Sequence, residues 1–209
     1  RLRPVLAETL AGYENVELVF GDVLALDLRQ LAAEHFPGLR PVVCANLPYN
    51  VTTPLITAFL TAGCFDTVTV MIQREVALRI CAAPGTADYG AFSLFCQYHT
   101  VPEFLFEVPP ECFLPAPKVT SAVLRMTPRP APAEVDDEAH FFRVVRAAFA
   151  QRRKTLANSL SAALPGIPKE SIQQAIADMG LPAAVRGEQL TLEDFAALSA
   201  ALGREADGD

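Results

Sequence analysis

Asn46-Leu47-Pro48-Tyr49 directly follows the β-branched run Val42-Val43-Cys44-Ala45, and its residue types suit one chemical task. An amine on an aromatic ring, such as that of adenine, is a poor nucleophile because its lone pair is delocalised. It needs acceptors that hold its hydrogens at fixed geometry more than it needs a strong base. The Asn46 side-chain oxygen and a backbone carbonyl beside the rigid Pro48 supply two such acceptors. Tyr49 can stack on the base, a contact worth about 1–3 kcal/mol. In an open α/β sheet, ligands bind at the carboxyl ends of strands, where this tetrapeptide falls. The same residues also suit a simple strand-ending turn with a half-buried tyrosine, and the tetrapeptide alone leaves both readings open.

Three further positions carry chemistry-bearing side chains. Gly21-Asp22 follows the run Val16 to Phe20, so Asp22 is either a strand-end carboxylate or the cap of a turn or helix. Phe113 lies in a stretch stiffened by Pro109, Pro110, Pro115 and Pro117, which favours a surface loop over a core position. Lys118, in the same loop, reads on its own as a solvated charge.

The elements that must hold these residues alternate in type. Val16 to Phe20, Val42 to Ala45, Thr67 to Ile72 and Val119 to Met126 read as strands, whereas Leu2 to Ala11, Leu55 to Thr61 and Gln73 to Ala82 read as helices. That alternation indicates an α/β layered domain over residues 1–127. The proline-spaced stretch Pro128 to Pro132 and the acidic Asp136-Asp137-Glu138 form a linker over residues 128–138. Residues 139–209 carry only helical patterns, at Phe141 to Leu164, Lys169 to Met179 and Thr191 to Leu202, with a frayed tail expected after Gly203.

A formal net charge of -7 disfavours a nucleic-acid partner until the distribution of charge is examined. Between Ala139 and Pro168 there is no acidic residue, yet Arg143, Arg146, Arg152, Arg153 and Lys154 fall there. Projected as one helix at about 100° per residue, Phe141 to Leu164 places Phe141, Val145, Ala148, Phe149, Leu156, Leu160 and Ala163 on an apolar stripe. Arg143, Arg146, Arg153 and Lys154 share the opposite side, a face suited to a phosphate backbone. Arg152 would fall in the middle of the apolar stripe. Either the helix breaks near Gln151, or Arg152 is buried with a partner.

Five isolated cysteines, with no C-x-x-C pair, indicate neither a zinc site nor a disulfide framework and read as small buried hydrophobes. His35, His99 and His140 read as surface or satisfied core residues, so no metal is expected. No apolar run approaches the ~20 residues that span a bilayer, which gives a soluble, cytoplasmic expectation.

Taken with its flanks, Asn46 to Tyr49 resembles the small-subunit rRNA adenine N6-dimethyltransferase family. The resemblance extends through Gly21-Asp22, Gln73 to Val76, Ala83-Pro84-Gly85 with Tyr89-Gly90, Phe113 to Val119 through Ser121, and Ala148 to Leu156. It implies a Rossmann-like class I S-adenosylmethionine-dependent methyltransferase sheet followed by a small helical domain. The cofactor would be S-adenosyl-L-methionine, bound by Asp22, Val23 and Asn46. Catalysis would fall to Asn46, the Leu47 and Pro48 backbone, Tyr49 and Phe113, the two aromatic rings sandwiching an extruded adenine. Lys118, Arg143, Arg146, Arg153 and Lys154 would bind small-subunit rRNA in the immature 30S particle, the protein acting as a monomer without a metal.

The family's Gly-rich cofactor loop and the acidic residue after its second strand have no counterpart here, and no G-x-G occurs in the sequence. The resemblance therefore implies a chain shortened at its N-terminal end, with an incomplete sheet and weak or absent activity as it stands. Large-subunit rRNA methyltransferases, DNA adenine methyltransferases and a non-catalytic RNA-binding assembly factor remain open as alternatives.

Overall fold

The computed structural model describes residues 2–131 and 134–206, the side chains of 204–206 excepted. Pro132 of the expected linker and the tail beyond Ala206 lie outside the described residues. A helix α1 (Arg3–Leu10) leads through an irregular stretch to α2 (Leu28–His35) and then to β1 (Val42–Asn46). The order continues α3 (Thr52–Ala62), β2 (Thr67–Gln73), α4 (Arg74–Cys81), α5 (Ala91–His99), β3 (Thr100–Val108) and β4 (Ser121–Pro128). Four helices close the chain: α6 (Glu138–Phe149), α7 (Leu156–Ala163), α8 (Lys169–Asp178) and α9 (Leu192–Ala206).

The strands form one mixed sheet in the order β1-β2-β4-β3. β1 and β2 run parallel, as strands joined through a crossover helix must, with Asn46 beside Met71. That helix is α3, which carries Pro54 in its first turn and ends at Gly63 in the left-handed conformation, φ 61°. β4 runs antiparallel to both neighbours and places Ser121 beside Gln73 of β2 and Val108 of β3. Along β2 every second side chain, Val68, Val70 and Ile72, is buried, the period-two pattern that fixes register. These residues pack with Ile56, Ile80, Cys96, Leu124 and Met126 into the core under the sheet.

A second core gathers Phe141, Val145, Leu156, Leu160, Ile172 and Phe195 from the C-terminal helices. It also takes in Tyr89, Leu94 and Tyr98, so α5 contributes to both cores. The Tyr89 hydroxyl donates to the Leu190 carbonyl at 3.0 Å inside this packing, where burial pushes its pKa well up.

Several sequence expectations are corrected. Val16 to Phe20 is irregular chain with no strand pairing, and Val16, Leu18, Val19 and Phe20 stay exposed. A β-branched composition marks fitness for a pleated surface, but a strand exists only where a ladder partner lies alongside. β3 carried no clean sequence signal. Pro102 sits within it, tolerated on an edge strand, and a register shift between Phe104 and Phe106 breaks the alternation.

The helical stretch Phe141 to Leu164 breaks near Gln151, one of the two outcomes that the place of Arg152 on the apolar stripe left open. α6 ends at Phe149 and α7 begins at Leu156, with turns between. Ser159 Oγ holds the break, accepting from Gln151 N at 3.1 Å and donating to the Ala147 carbonyl at 2.7 Å. A continuous helix would have buried Arg152 in apolar packing, and burying an unpaired charge is the larger penalty. Arg153 and Lys154 therefore lie in a loop and not on a helix face.

Among the cysteines only Cys96 is buried, while Cys44, on the edge strand, and Cys112, in the proline-rich loop, are exposed. The Nε2 atoms of His99 and His140 are buried without a hydrogen-bond partner among the described residues, so neither is a satisfied core histidine. No described helix is long and apolar enough to cross a membrane, and no group of three or more potential metal ligands occurs among the described residues.

Candidate active site

Asn46 is the last residue of β1 and is exposed at the carboxyl end of the sheet. Leu47 follows with a buried side chain, and its backbone N donates to the Met71 carbonyl of β2 at 3.1 Å. The tetrapeptide is thus bolted to the sheet immediately after Asn46. Pro48 adopts φ -61° and ψ 133°, and Tyr49 opens a short 3-10 turn over Tyr49–Val51 that runs into α3. Proline fixes φ, so the direction in which the chain leaves the strand is fixed too.

The carbonyls of the tetrapeptide are not equivalent. The Pro48 carbonyl accepts from Val51 N at 3.2 Å and from Thr52 Oγ1 at 3.1 Å. The Leu47 carbonyl receives no hydrogen bond among the described residues. Of the two backbone acceptors that the sequence offered, Leu47 is the one left available, beside the exposed Asn46 amide.

Tyr49 is half-buried, and its hydroxyl lies 2.7 Å from Ser121 Oγ at the start of β4. The loop that ends at Ser121 is the one that carries Phe113 and Lys118. Phe113 terminates a 3-10 turn over Pro110–Cys112 and is partly exposed, and Lys118 is exposed. The structure therefore brings the Tyr49 and Phe113 segments to the same end of the sheet. The two rings are not in direct contact among the described residues.

Asp22 caps the Val23–Ala25 turn, its Oδ1 accepting from Leu24 N at 3.0 Å. The turn packs against α3, and Val23 lies against the core that includes Leu47 and Leu55. Backbone bonds within the turn use the Asp22 and Val23 carbonyls, leaving the Val23 N–H without a partner among the described residues.

The expected RNA-facing cations separate into two groups. Lys118, Arg146, Arg153 and Lys154 are exposed and form no ion pair among the described residues. Arg143 instead donates to His140 Nδ1 at 2.6 Å. Ala150 to Lys154 line a recess of about 330 Å³ between α6 and α7. Arg152 is spoken for: it bonds Glu188 and the Ala87 carbonyl.

Two residues escaped the sequence reading. Thr52 was legible only through its spacing of four from Pro48, which suits a hydroxyl bonding back to a carbonyl at a helix start. Ser121 closed a recognisable segment without any local sign of its partner, because that partner is distant in sequence.

The family described as ribosomal RNA adenine dimethylase matches residues 1–200 of this chain. A ribosomal RNA small subunit methyltransferase A of Lachnoclostridium phytofermentans is 46% identical over 202 residues, covering 95% of this chain and 70% of its own. The protein of the same name from Geobacillus thermodenitrificans is 47% identical over 207 residues, covering 97% and 71%. Among solved structures, a dimethyladenosine transferase from Plasmodium falciparum superposes with a TM-score of 0.75 at 20% identity, over 98% of this chain and 78% of its own. The 23S rRNA methyltransferase ErmE gives 0.66 at 24% identity, over 97% and 78%. At these identities the two structures speak to the fold, a Rossmann-like methyltransferase sheet with helices.

Proposed function

The chain belongs to the ribosomal RNA adenine dimethylase family, and from that membership we propose that it places two methyl groups on the exocyclic amine of adenine in small-subunit rRNA, with S-adenosyl-L-methionine as donor. The observation that carries the reading is the arrangement at the end of β1. Asn46 is exposed beside a free Leu47 carbonyl, while the Pro48 carbonyl is already engaged by Val51 and Thr52.

The two free acceptors bind the two amine hydrogens and draw the nitrogen lone pair out of conjugation towards the incoming methyl group. Tyr49 and Phe113 hold the ring once the nucleotide has left its stack. Because β1 and its junction with α3 are fixed by the Leu47–Met71 bond and by Pro48, the acceptors need no rearrangement on binding.

The residues at Asp22 fit the nucleoside end of the cofactor. An adenine edge offers an amine donor next to a ring-nitrogen acceptor, and Asp22 with Val23 offers a carboxylate next to an uncommitted N–H. S-adenosyl-L-methionine, when bound, supplies an electrophilic methyl group, so no metal and no covalent enzyme intermediate is required. Asn46 borders both the cofactor and the base in this reading.

Lys118, Arg146, Arg153 and Lys154 contact the rRNA backbone of the immature 30S particle, with Arg143 at the margin. The protein works as a monomer in the cytoplasm. Relatives at 46% and 47% identity are named for the small subunit, whereas the 23S enzyme is 24% identical, which supports the small-subunit target over the large.

The test is methyl transfer by the intact protein from labelled cofactor to immature small subunits, with the modified adenine mapped. Asn46→Ala should lower turnover about a hundredfold while leaving particle affinity within about twofold. Binding without methyl incorporation, or label on large-subunit RNA alone, would overturn the proposal.

A further inference from the structure

The Tyr49 hydroxyl and Ser121 Oγ, 2.7 Å apart, join two strands that are not neighbours in the sheet. Tyr49 follows β1 and Ser121 begins β4, with β2 between them, so the bond reaches across the carboxyl end of β2. The two partners are held very differently. Ser121 is 0% exposed, and its backbone is gripped on both sides, by Gln73 and by Val108. Tyr49 opens a single 3-10 turn and is half-buried, so it lacks the two-sided strand pairing that holds Ser121.

Stacking on a base uses the face of a tyrosine ring and makes no use of its hydroxyl, for which phenylalanine would serve as well. A hydroxyl at this position therefore needs another purpose, and the geometry supplies it. Tied at its far end to a rigid, buried serine, the ring is fixed at both ends and presents its face at one orientation.

We propose that Ser121 is a positioning residue for the Tyr49 ring, holding it where the extruded adenine stacks. Ser121 is fully buried and touches no substrate; it acts through Tyr49 alone. The proposal rests on the reading above that Tyr49 receives the target base. Its effect belongs to the step after the base leaves its stack. Overall RNA affinity, dominated by phosphate contacts, should not register it.

Five forms of the intact protein test this: wild type, Ser121→Ala, Ser121→Thr, Tyr49→Phe and the double variant Ser121→Ala/Tyr49→Phe. Each is assayed for methyl transfer to immature small subunits, for particle affinity and for thermal stability. An rRNA fragment with 2-aminopurine at the adenine mapped in the wild-type reaction reports stacking by its fluorescence.

Ser121→Ala and Tyr49→Phe should each lower kcat about tenfold, with particle affinity within about twofold of wild type. The double variant should be no worse than either single, because both remove the same bond. Ser121→Thr should recover most of the rate, and 2-aminopurine quenching should weaken in step with kcat.

A Ser121→Ala protein as fast as a methylating wild type overturns the positioning role alone. So do single losses that multiply to roughly a hundredfold in the double variant. Losses confined to melting temperature or particle affinity overturn it too, assigning the bond to folding. A wild type that binds the particle and methylates no adenine overturns the underlying function and the positioning role together.

Discussion

Arg152 Nε bonds Glu188 Oε2 at 3.1 Å, and the same guanidinium donates through Nη2 to the Ala87 carbonyl. One cation thereby ties the α6–α7 loop both to the Gly187–Gln189 turn and to the loop between α4 and α5. A backbone bond from Gly85 N to the Glu188 carbonyl at 2.6 Å runs parallel to it.

The Arg152 side chain is 48% exposed, so solvent screens the ion pair and the bridge is worth about 1 kcal/mol in total. Arg152→Ala should lower the melting temperature by about 2–4 °C in a chain of this size. A double-mutant cycle with Glu188→Gln should return about 0.5–1 kcal/mol, shrinking near 1 M salt as the Debye length falls to ~3 Å. A variant that melts with the wild type would show that the loops are held by backbone bonds alone.

Gly187 sits where that turn meets α6, and a Cβ built there would lie 3.0 Å from the Ala148 carbonyl oxygen and 3.2 Å from Ala148 Cβ. The obstacle is helix backbone and cannot move aside as a flexible side chain would. Gly187→Ala should destabilise the protein by about 1–3 kcal/mol in urea titration. Gly12, with nothing within 4 Å of its would-be Cβ, should accept alanine with little change. Equal stabilities of the two variants would contradict the close approach.

Much of this was legible because the signals were local. Asn46 to Tyr49 sits at the carboxyl end of a strand because Val42 to Ala45 is a strand, and the helical pattern from Thr191 to Leu202 falls within α9 and the residue that precedes it. What sequence could not show is pairing. Val16 to Phe20 has strand composition without a ladder partner, and β3 is a strand without strand alternation because a bulge and Pro102 interrupt it. Arg152 shows both sides: its misfit on the apolar stripe correctly raised a helix break near Gln151, while Glu188 and Ala87 as its partners could come only from the fold.

The unpaired cations should be visible in salt dependence. If Arg153 and Lys154 contact phosphates of the rRNA, each alanine substitution should reduce the slope of log affinity against log salt by about 0.7–0.9. Arg143, already bonded to His140, should change the slope less. Slopes identical for Lys154→Ala and wild type would remove that residue from the RNA interface.

His99 should make folding stability fall on mild acidification. Its ring stacks on Phe142 at 5.8 Å and meets Phe95 edge-on at 4.7 Å, with only 18% of the side chain exposed. Burial opposes the imidazolium and sets the pKa below the ordinary value of 6.5, an effect that Glu138 Oε1, 4.0 Å from Nε2, offsets only in part. In the folded protein His99 is held neutral, whereas the unfolded chain takes up its proton as pH falls through about 6.5. The unfolded state then binds more protons, so this contribution is whole above about pH 6.5 and is lost as pH falls from there towards the depressed folded pKa. His99→Phe keeps the ring packing and removes the titration, so its melting temperature should fall less than that of wild type between about pH 7 and pH 5.5. The measurement is thermal denaturation of both proteins across that window, and parallel curves would show that His99 titrates alike in the folded and unfolded states.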